Sequence, residues 1–285
     1  MYPVIESNLD DVTLPDVPSQ TVERIVLLGA EPASLVNFRG ALIARLVALG
    51  HEVHVAAKQA SAEQVAALAK MGAVFHPIPF ARAGMNPFRD AETGIALYKL
   101  FRALRPDAVI SYTSKPVIYG SLAAHVAGVS HIVAMVTGLG YSFIEGPEPK
   151  RKLAKRVSSL LYGLALPRCA RVLFQNPDDR DEFEKLGLLR RVREVAVVNG
   201  SGVDTDYFAA AELPSPTAFL MIARLLVDKG VREFVDAVAQ IKAQVPDVEF
   251  RLLGAFDPSP NGDALTIQFG LYLCPRKIAA GAGLV

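Results

Sequence analysis

The chain has 285 residues, 51% of them hydrophobic, with 30 basic against 29 acidic side chains and a formal net charge of +1. At roughly 100–200 residues per domain, that length fits one large or two modest domains. The charge balance argues against the strongly basic surface of a nucleic-acid-binding protein, and the two cysteines, Cys169 and Cys274, stand in no metal-ligand spacing and fit a reducing cytoplasm.

Residues 1–20 hold Glu6, Asp10, Asp11 and Asp16, three prolines and no Lys or Arg, which reads as a flexible acidic tail rather than a secretory signal. No apolar run reaches the roughly 20 residues needed to span a bilayer. Arg24 to Gly29 is a short apolar run closed by glycine, as in a buried parallel strand. A helix is expected from Phe38 to Leu49 and a strand from His51 to Ala57. Ser61 with Gln64 spells a capping box before the next helix. Strands are then expected from Ala73, at Ala108–Ile110, His131–Val136, Arg171–Phe174 and Val195–Val198. Helices are expected between them at Ala91–Leu104, Val117–Ala127, Lys150–Leu166 and Asp178–Leu186. Such alternation implies an α/β fold with a parallel sheet covered on both faces.

The punctuation Glu212 to Thr217 reads as a linker, after which the pattern restarts with a strand at Ala218–Ile222, a helix at Gly230–Gln244 and a strand at Val248–Leu253. From Gly262 to Val285 the alternation fades. The expected organisation is a tail (1–20), a Rossmann-like acceptor-side domain (21–211), a linker (212–217) and a partial donor-side Rossmann-like domain (218–285).

Two segments stand out chemically. In Phe219 to Val231, Arg224 falls at the carboxyl end of a strand, and Lys229 and Gly230 fall at the next helix start. Ligands gather at such strand ends, and free helix N–H groups attract anions, so the two cations suit a diphosphate; the plainer reading is two solvated charges around a turn. The second segment is Asn199-Gly200-Ser201-Gly202-Val203-Asp204-Thr205-Asp206, a glycine loop whose Asp204 and Asp206 also spell a short acid-x-acid metal pattern.

Read together, the order Asn-Gly-x-Gly-Val-Asp, linker, strand, Ala-Arg-Leu, Lys-Gly resembles the family-4 retaining glycosyltransferases of the GT-B fold. Ala83 to Phe88, Ser114-Lys115-Pro116 with Tyr119-Gly120, and Val136 to Tyr141 resemble the subgroup that builds bacterial surface polysaccharides and lipid-linked oligosaccharides. The resemblance runs from Ile25 to Asp257 and implies two Rossmann-like domains, the second incomplete. It also implies Arg224 and Lys229 as the catalytic cations on the donor diphosphate, in place of a metal or other cofactor, with Asn199, Gly200, Gly202 and Gly230 around the donor. The family's later Glu-x7-Glu pair has no counterpart after Asn199, and the histidine many relatives carry near Gly138-Leu139-Gly140 is absent.

Acceptor contacts are expected from first-domain loops. Asn37 and Arg39 stand at an expected helix start, Lys115 beyond a strand end, and Gly138 and Gly140 beyond another. For Arg39 and Lys115 a solvated surface charge is the competing reading. Phe143 stands where a dinucleotide fingerprint beginning at Gly138 needs its third glycine, which argues against a dehydrogenase. His51 and His54 would point to opposite faces of a strand, against a metal site. Helix 150–166 opens with Lys150, Arg151, Lys152, Lys155 and Arg156, and no acid occurs from Pro149 to Pro177. Leu153, Val157, Leu160, Leu161 and Leu164 recur at helical spacing, which suits either an anionic membrane surface or the protein core.

The expected function is transfer of a hexosyl or N-acetylhexosaminyl group from a nucleoside-diphosphate sugar, UDP-linked, to a carbohydrate or polyprenyl-linked acceptor. The expected place is the cytoplasm, peripheral to the inner membrane face, with no nucleic-acid partner. The alternatives are a non-catalytic binding remnant and a GT-B nucleotide-sugar epimerase.

Overall fold

The computed structural model describes residues 23–80, 86–139, 143, 149–205, 208–213, 215, 217–223, 225–226 and 229–254, with 149–151 described as backbone only. The acidic tail, Gly84, Met85, Gly140, Asp206, Arg224, the side chains of Lys150 and Arg151, and the stretch 262–285 lie outside the described residues.

The chain divides into two compact units, the first ending at Gly202 and the second beginning at Val203. In the first unit, strands β1 (Arg24–Leu28), β2 (Glu52–Ala57), β3 (Val74–Pro77), β4 (Ala108–Tyr112), β5 (His131–Val136), β6 (Arg171–Phe174) and β7 (Val195–Val197) form one sheet. Its order is β3-β2-β1-β4-β5-β6-β7, and every described pairing is parallel. Helices α1 (Pro32–Ala48), α2 (Ala62–Lys70), α3 (Pro87–Leu104), α4 (Ser121–Ala127), α5 (Pro149–Ala165) and α6 (Pro177–Lys185) connect the strands. A π-helical turn, Pro116–Gly120, leads into α4.

Alternate side chains of β1 build two separate cores. Leu27 packs with Leu35 and Ile43 of α1 and Leu68 of α2, whereas Val26 and Leu28 pack with Leu97 and Phe101 of α3, Ala124 of α4 and Tyr162 of α5. Strands buried on both faces read as continuous apolar runs, which is why β1 was visible in the sequence.

Helix starts differ from expectation. α1 begins at Pro32, six residues before Phe38, and α3 begins at Pro87 with Asn86 as cap, accepting from the Phe88 and Arg89 N–H groups at 3.2 and 3.3 Å. A proline at the first helical position fits the helix and wastes no N–H donor, but it precedes the apolar periodicity from which the starts were read. The Ser61–Gln64 capping box forms in both directions, at 3.3 and 3.0 Å. His51 stands just ahead of β2 rather than within it.

On α5 the apolar stripe divides: Val157 and Leu161 are half-buried, Leu161 against the core, and the other leucines turn outward. Leu153, Leu160 and Leu164 are 61%, 65% and 44% exposed, and the buried positions are Ser158, Tyr162 and Ala165.

The second unit holds β8 (Ala218–Ile222), α7 (Val231–Gln244) and β9 (Glu249–Leu253), with β8 and β9 parallel. Phe219 and Phe250 stack across the pair with ring centroids 5.4 Å apart, and Phe234 of α7 meets Phe250 edge-on at 6.1 Å. Among the described residues no helix is long and apolar enough to cross a membrane.

Candidate functional site

In an open parallel sheet, ligands bind outside the carboxyl ends of the strands where the strand order reverses. Here that point lies between β1 and β4. The chain leaves β1 through Gly29 into α1, and leaves β4 through Thr113 and Ser114 to Lys115.

Arg39, in the second turn of α1, is only 5% exposed. Its guanidinium carbon lies 4.7 Å from the centroid of the Tyr112 ring, a cation–π contact at the end of β4. Nη1 donates to Ser201 Oγ at 2.7 Å and to the Phe38 carbonyl at 3.3 Å, while Nε is buried with no described partner. No described carboxylate pairs with this charge, and burial pushes its pKa below the usual arginine range. The competing reading of a solvated helix-end charge fails, because the helix begins a turn and a half earlier and residue 39 is buried against Tyr112.

The surrounding hydrogen bonds fix Tyr112. Ser34 Oγ donates to the Glu31 carbonyl at 2.6 Å, which leaves it to accept from the Tyr112 hydroxyl at 2.8 Å. Burial raises the pKa of Tyr112, so it stays a neutral donor. A side chain at Gly29 would run into this hydroxyl, which gives the glycine a packing role here rather than a ligand-approach one. Ser201 also accepts from Gln175 Nε2 at 3.3 Å, and its neighbours Gly200 and Gly202 both hold φ 74°, a conformation that disfavours other residues.

Lys115 is not a solvated charge either. Its Nζ sits 2.8 Å from Oδ1 of the buried Asp90. Burial, then the Asp90 charge and hydrogen bond, raise the pKa of Tyr119 beside it. Between Lys115 and β4, Thr113 holds φ 66°, costly for a β-branched residue, and its Oγ1 is buried with no described partner.

The structure thus brings Arg39 together with Ser201 of the glycine loop, and Lys115 together with Asp90. Asn37 is exposed, and two positions from Arg39 on a helix it faces elsewhere. Gly138 follows β5 at the same sheet edge, with φ 153°. Asn199 is exposed. In the second unit Lys229 is exposed, its N–H donates to the Leu226 carbonyl at 3.1 Å, and Gly230 caps α7 at φ 75°. Arg224 lies outside the described residues.

Sequence reading missed Ser34, Asp90, Tyr112 and Thr113, and passed over the hydroxyl of Ser201. Tyr112 and Thr113 lay beyond the expected end of β4, and Asp90 paired only through the fold.

The family model for the glycosyl transferase 4-like domain matches residues 37–200, more than half of the chain. The chain is 28% identical over 252 residues to N,N'-diacetylbacillosaminyl-diphospho-undecaprenol alpha-1,3-N-acetylgalactosaminyltransferase of Campylobacter jejuni, covering 84% of this chain and 65% of that protein. It is 27% identical over 191 residues to UDP-Gal:alpha-D-GlcNAc-diphosphoundecaprenol alpha-1,3-galactosyltransferase of Escherichia coli, covering 62% of this chain and 48% of that protein. It thus spans between about half and two-thirds of the length of these relatives. The fold matches a sucrose-phosphate synthase from Thermosynechococcus elongatus with a TM-score of 0.63 at 11% identity, over 84% of this chain and 65% of that one. The family model covers the sheet edge at the β1–β4 switch point where Arg39, Tyr112 and Lys115 stand, and the chain belongs to the glycosyl transferase 4-like domain family.

Proposed function

We propose that the protein transfers a hexosyl or N-acetylhexosaminyl group from a UDP-sugar to a polyprenyl-diphosphate-linked acceptor in surface polysaccharide synthesis. The observation that carries this reading is the similarity, over 84% of the chain, to a transferase named for an undecaprenol-diphosphate-linked acceptor. The acceptor side is the domain of residues 21–211, followed by a linker at 212–217 and the donor side at 218–285.

On the acceptor side Arg39 is the anion-binding group. A buried guanidinium without a carboxylate is costly to keep unless an anion completes it. Tyr112 and Ser201 hold its plane, and the acceptor diphosphate supplies the missing negative charge. Lys115, already matched by Asp90, contributes a hydrogen-bond donor more than net charge; Asn37, Gly138 and Gly140 border the acceptor.

On the donor side Arg224 and Lys229 meet the diphosphate, with Asn199, Gly200, Gly202 and Gly230 leaving room for the nucleotide. Breaking the sugar–phosphate bond builds charge on the leaving diphosphate, and fixed cations lower that barrier without a metal. Helix 150–166 lies against the inner face of the membrane, its exposed leucines in the lipid and Lys152 and Arg156 at the headgroups.

The test is isothermal titration of UDP-galactose and UDP-N-acetylgalactosamine into the wild type, Arg224→Ala and Lys229→Ala. This is paired with transfer of radiolabelled sugar to an undecaprenyl-diphosphate-linked monosaccharide. Each variant is expected to weaken binding by roughly 10–100-fold, the worth of a hydrogen bond to a charged group. Absence of UDP-sugar binding by the wild type would reject the reading; binding without transfer would leave a binding protein in its place.

A further inference from the structure

A groove between α3, α4 and α5 lies on the face of the sheet away from α1 and α2 and has no role in the assignments above. Its volume is about 590 Å³, inside the roughly 300–1,000 Å³ of small-molecule sites. Ile95 and Tyr98 of α3, Val126 of α4, and Val157 and Leu161 of α5 wall it, and Ile95 and Val126 remain 56% and 70% exposed. At Gly94 a side chain would meet nothing within 4 Å, so this residue leaves the groove open. The lining is polar at Asp90 and Tyr119, and Asp90 is the residue that holds Lys115 beyond β4. The groove therefore reaches the carboxyl edge of the sheet.

The charged residue of the lining is Asp90, matched by Lys115, and the exposed charges described on α5 are cationic. Exposed Lys152 and Arg156 stand on α5 beside the exposed Leu153 and Leu160, and Lys155 bonds Glu182 at 2.9 Å, which ties α5 to α6. An apolar channel with almost no hydrogen-bonding groups along it, cationic side chains on α5 and, at one end, an ion pair whose lysine can still donate complements an anionic amphiphile rather than a polar chain.

We propose that this groove seats the isoprenoid chain of the polyprenyl-diphosphate acceptor, the diphosphate end directed toward Lys115. The inference rests on the transfer reaction proposed above and adds where the lipid part of the substrate lies.

Isothermal titration of the full chain with inorganic, geranyl, farnesyl and geranylgeranyl diphosphate tests it without any sugar donor. Farnesyl diphosphate is expected to bind at least about tenfold more tightly than inorganic diphosphate, because each buried methylene adds favourable transfer free energy. Gly94→Phe, which fills the groove and removes a helix-interior glycine, is expected to bring farnesyl diphosphate down to the affinity of inorganic diphosphate. Val126→Asn, at an exposed position that cannot endanger folding, is expected to weaken it several-fold with an unchanged thermal transition.

Affinity independent of chain length, or a folded Gly94→Phe protein with undiminished farnesyl diphosphate affinity, would overturn the proposal. So would a dimer of the wild type that Gly94→Phe splits without any chain-length effect, since a second copy would then own the groove. If no sugar is transferred but the chain-length effect is present and vanishes in Gly94→Phe, the transfer reading fails and the isoprenoid site stands. Transfer with an acceptor KM indifferent to chain length has the opposite meaning.

Discussion

Arg39 shows how far single residues could be read. Its type and its place after β1 fit either an anion ligand or a solvated charge, but its burial, its stacking on Tyr112 and its bond to Ser201, 162 positions away, follow only from the fold. A buried cation with no matching carboxylate works against stability, so Arg39→Met, similar in length and apolar, is expected to fold within about 1 kcal/mol of the wild type or to be more stable. The same variant should lose at least about tenfold in transfer to the polyprenyl-linked acceptor, the cost of one charged hydrogen bond, while UDP-sugar binding is unchanged. Thermal melting alongside acceptor kinetics checks this, and a strong destabilisation with normal acceptor KM would make Arg39 a packing residue. Lys115 carries the complementary lesson. Its positive charge was legible, but the Asp90 carboxylate that matches it comes from α3, 25 positions earlier, and no local pattern links the two.

Among elements, strands were legible because both faces of a parallel sheet are buried and the runs are continuously apolar. Helix starts at Pro32 and Pro87 were not, because a proline at the first position precedes the periodic side chains. The leucine stripe of α5 was visible as a period, but which side of the helix it covered depended on Tyr162 and Ala165 entering the core instead. The edge formed by β2 and β3 holds a polar chain that the sequence did not announce. His54 Nδ1 lies 2.9 Å from His76 Nε2, His54 Nε2 lies 2.9 Å from Glu52 Oε1, and Glu52 pairs with Arg24 at 2.8 Å. Burial, aided by the His54 charge, lowers the His76 pKa below its ordinary 6.5. The unfolded chain therefore takes up the His76 proton first, and folding stability is expected to fall as pH drops below about 6.5, levelling once the folded-state value is passed. Glu52, lowered by Arg24 and then His54, loses its contribution only below its ordinary 4.5, in a separate acid window. Urea midpoints at pH 8 and 5.5, compared with those of His76→Gln, check this; an identical slope in the variant would exclude His76 as the cause.

At the scale of the molecule, the rings of Phe143, Tyr162, Phe174 and Phe183 meet in one buried cluster of the first unit. Phe183 contacts the other three rings at centroid distances of 4.9–5.6 Å and is fully buried. Truncation of Phe183 to alanine is expected to cost about 3–5 kcal/mol, read as a shift in the denaturant midpoint with unchanged slope. A loss below about 1 kcal/mol would show that the cluster relaxes around the cavity. The α/β class, the parallel sheet and the family were determined by sequence alone, because apolar runs, glycine loops and the Arg224–Lys229 spacing are local patterns that survive without coordinates. Tertiary structure alone decided which charges are matched, which face of α5 is left exposed, and that three helices leave an apolar groove open. Those properties depend on side chains far apart in sequence arriving at one place, and burial, pairing and cavity shape are set by that arrival.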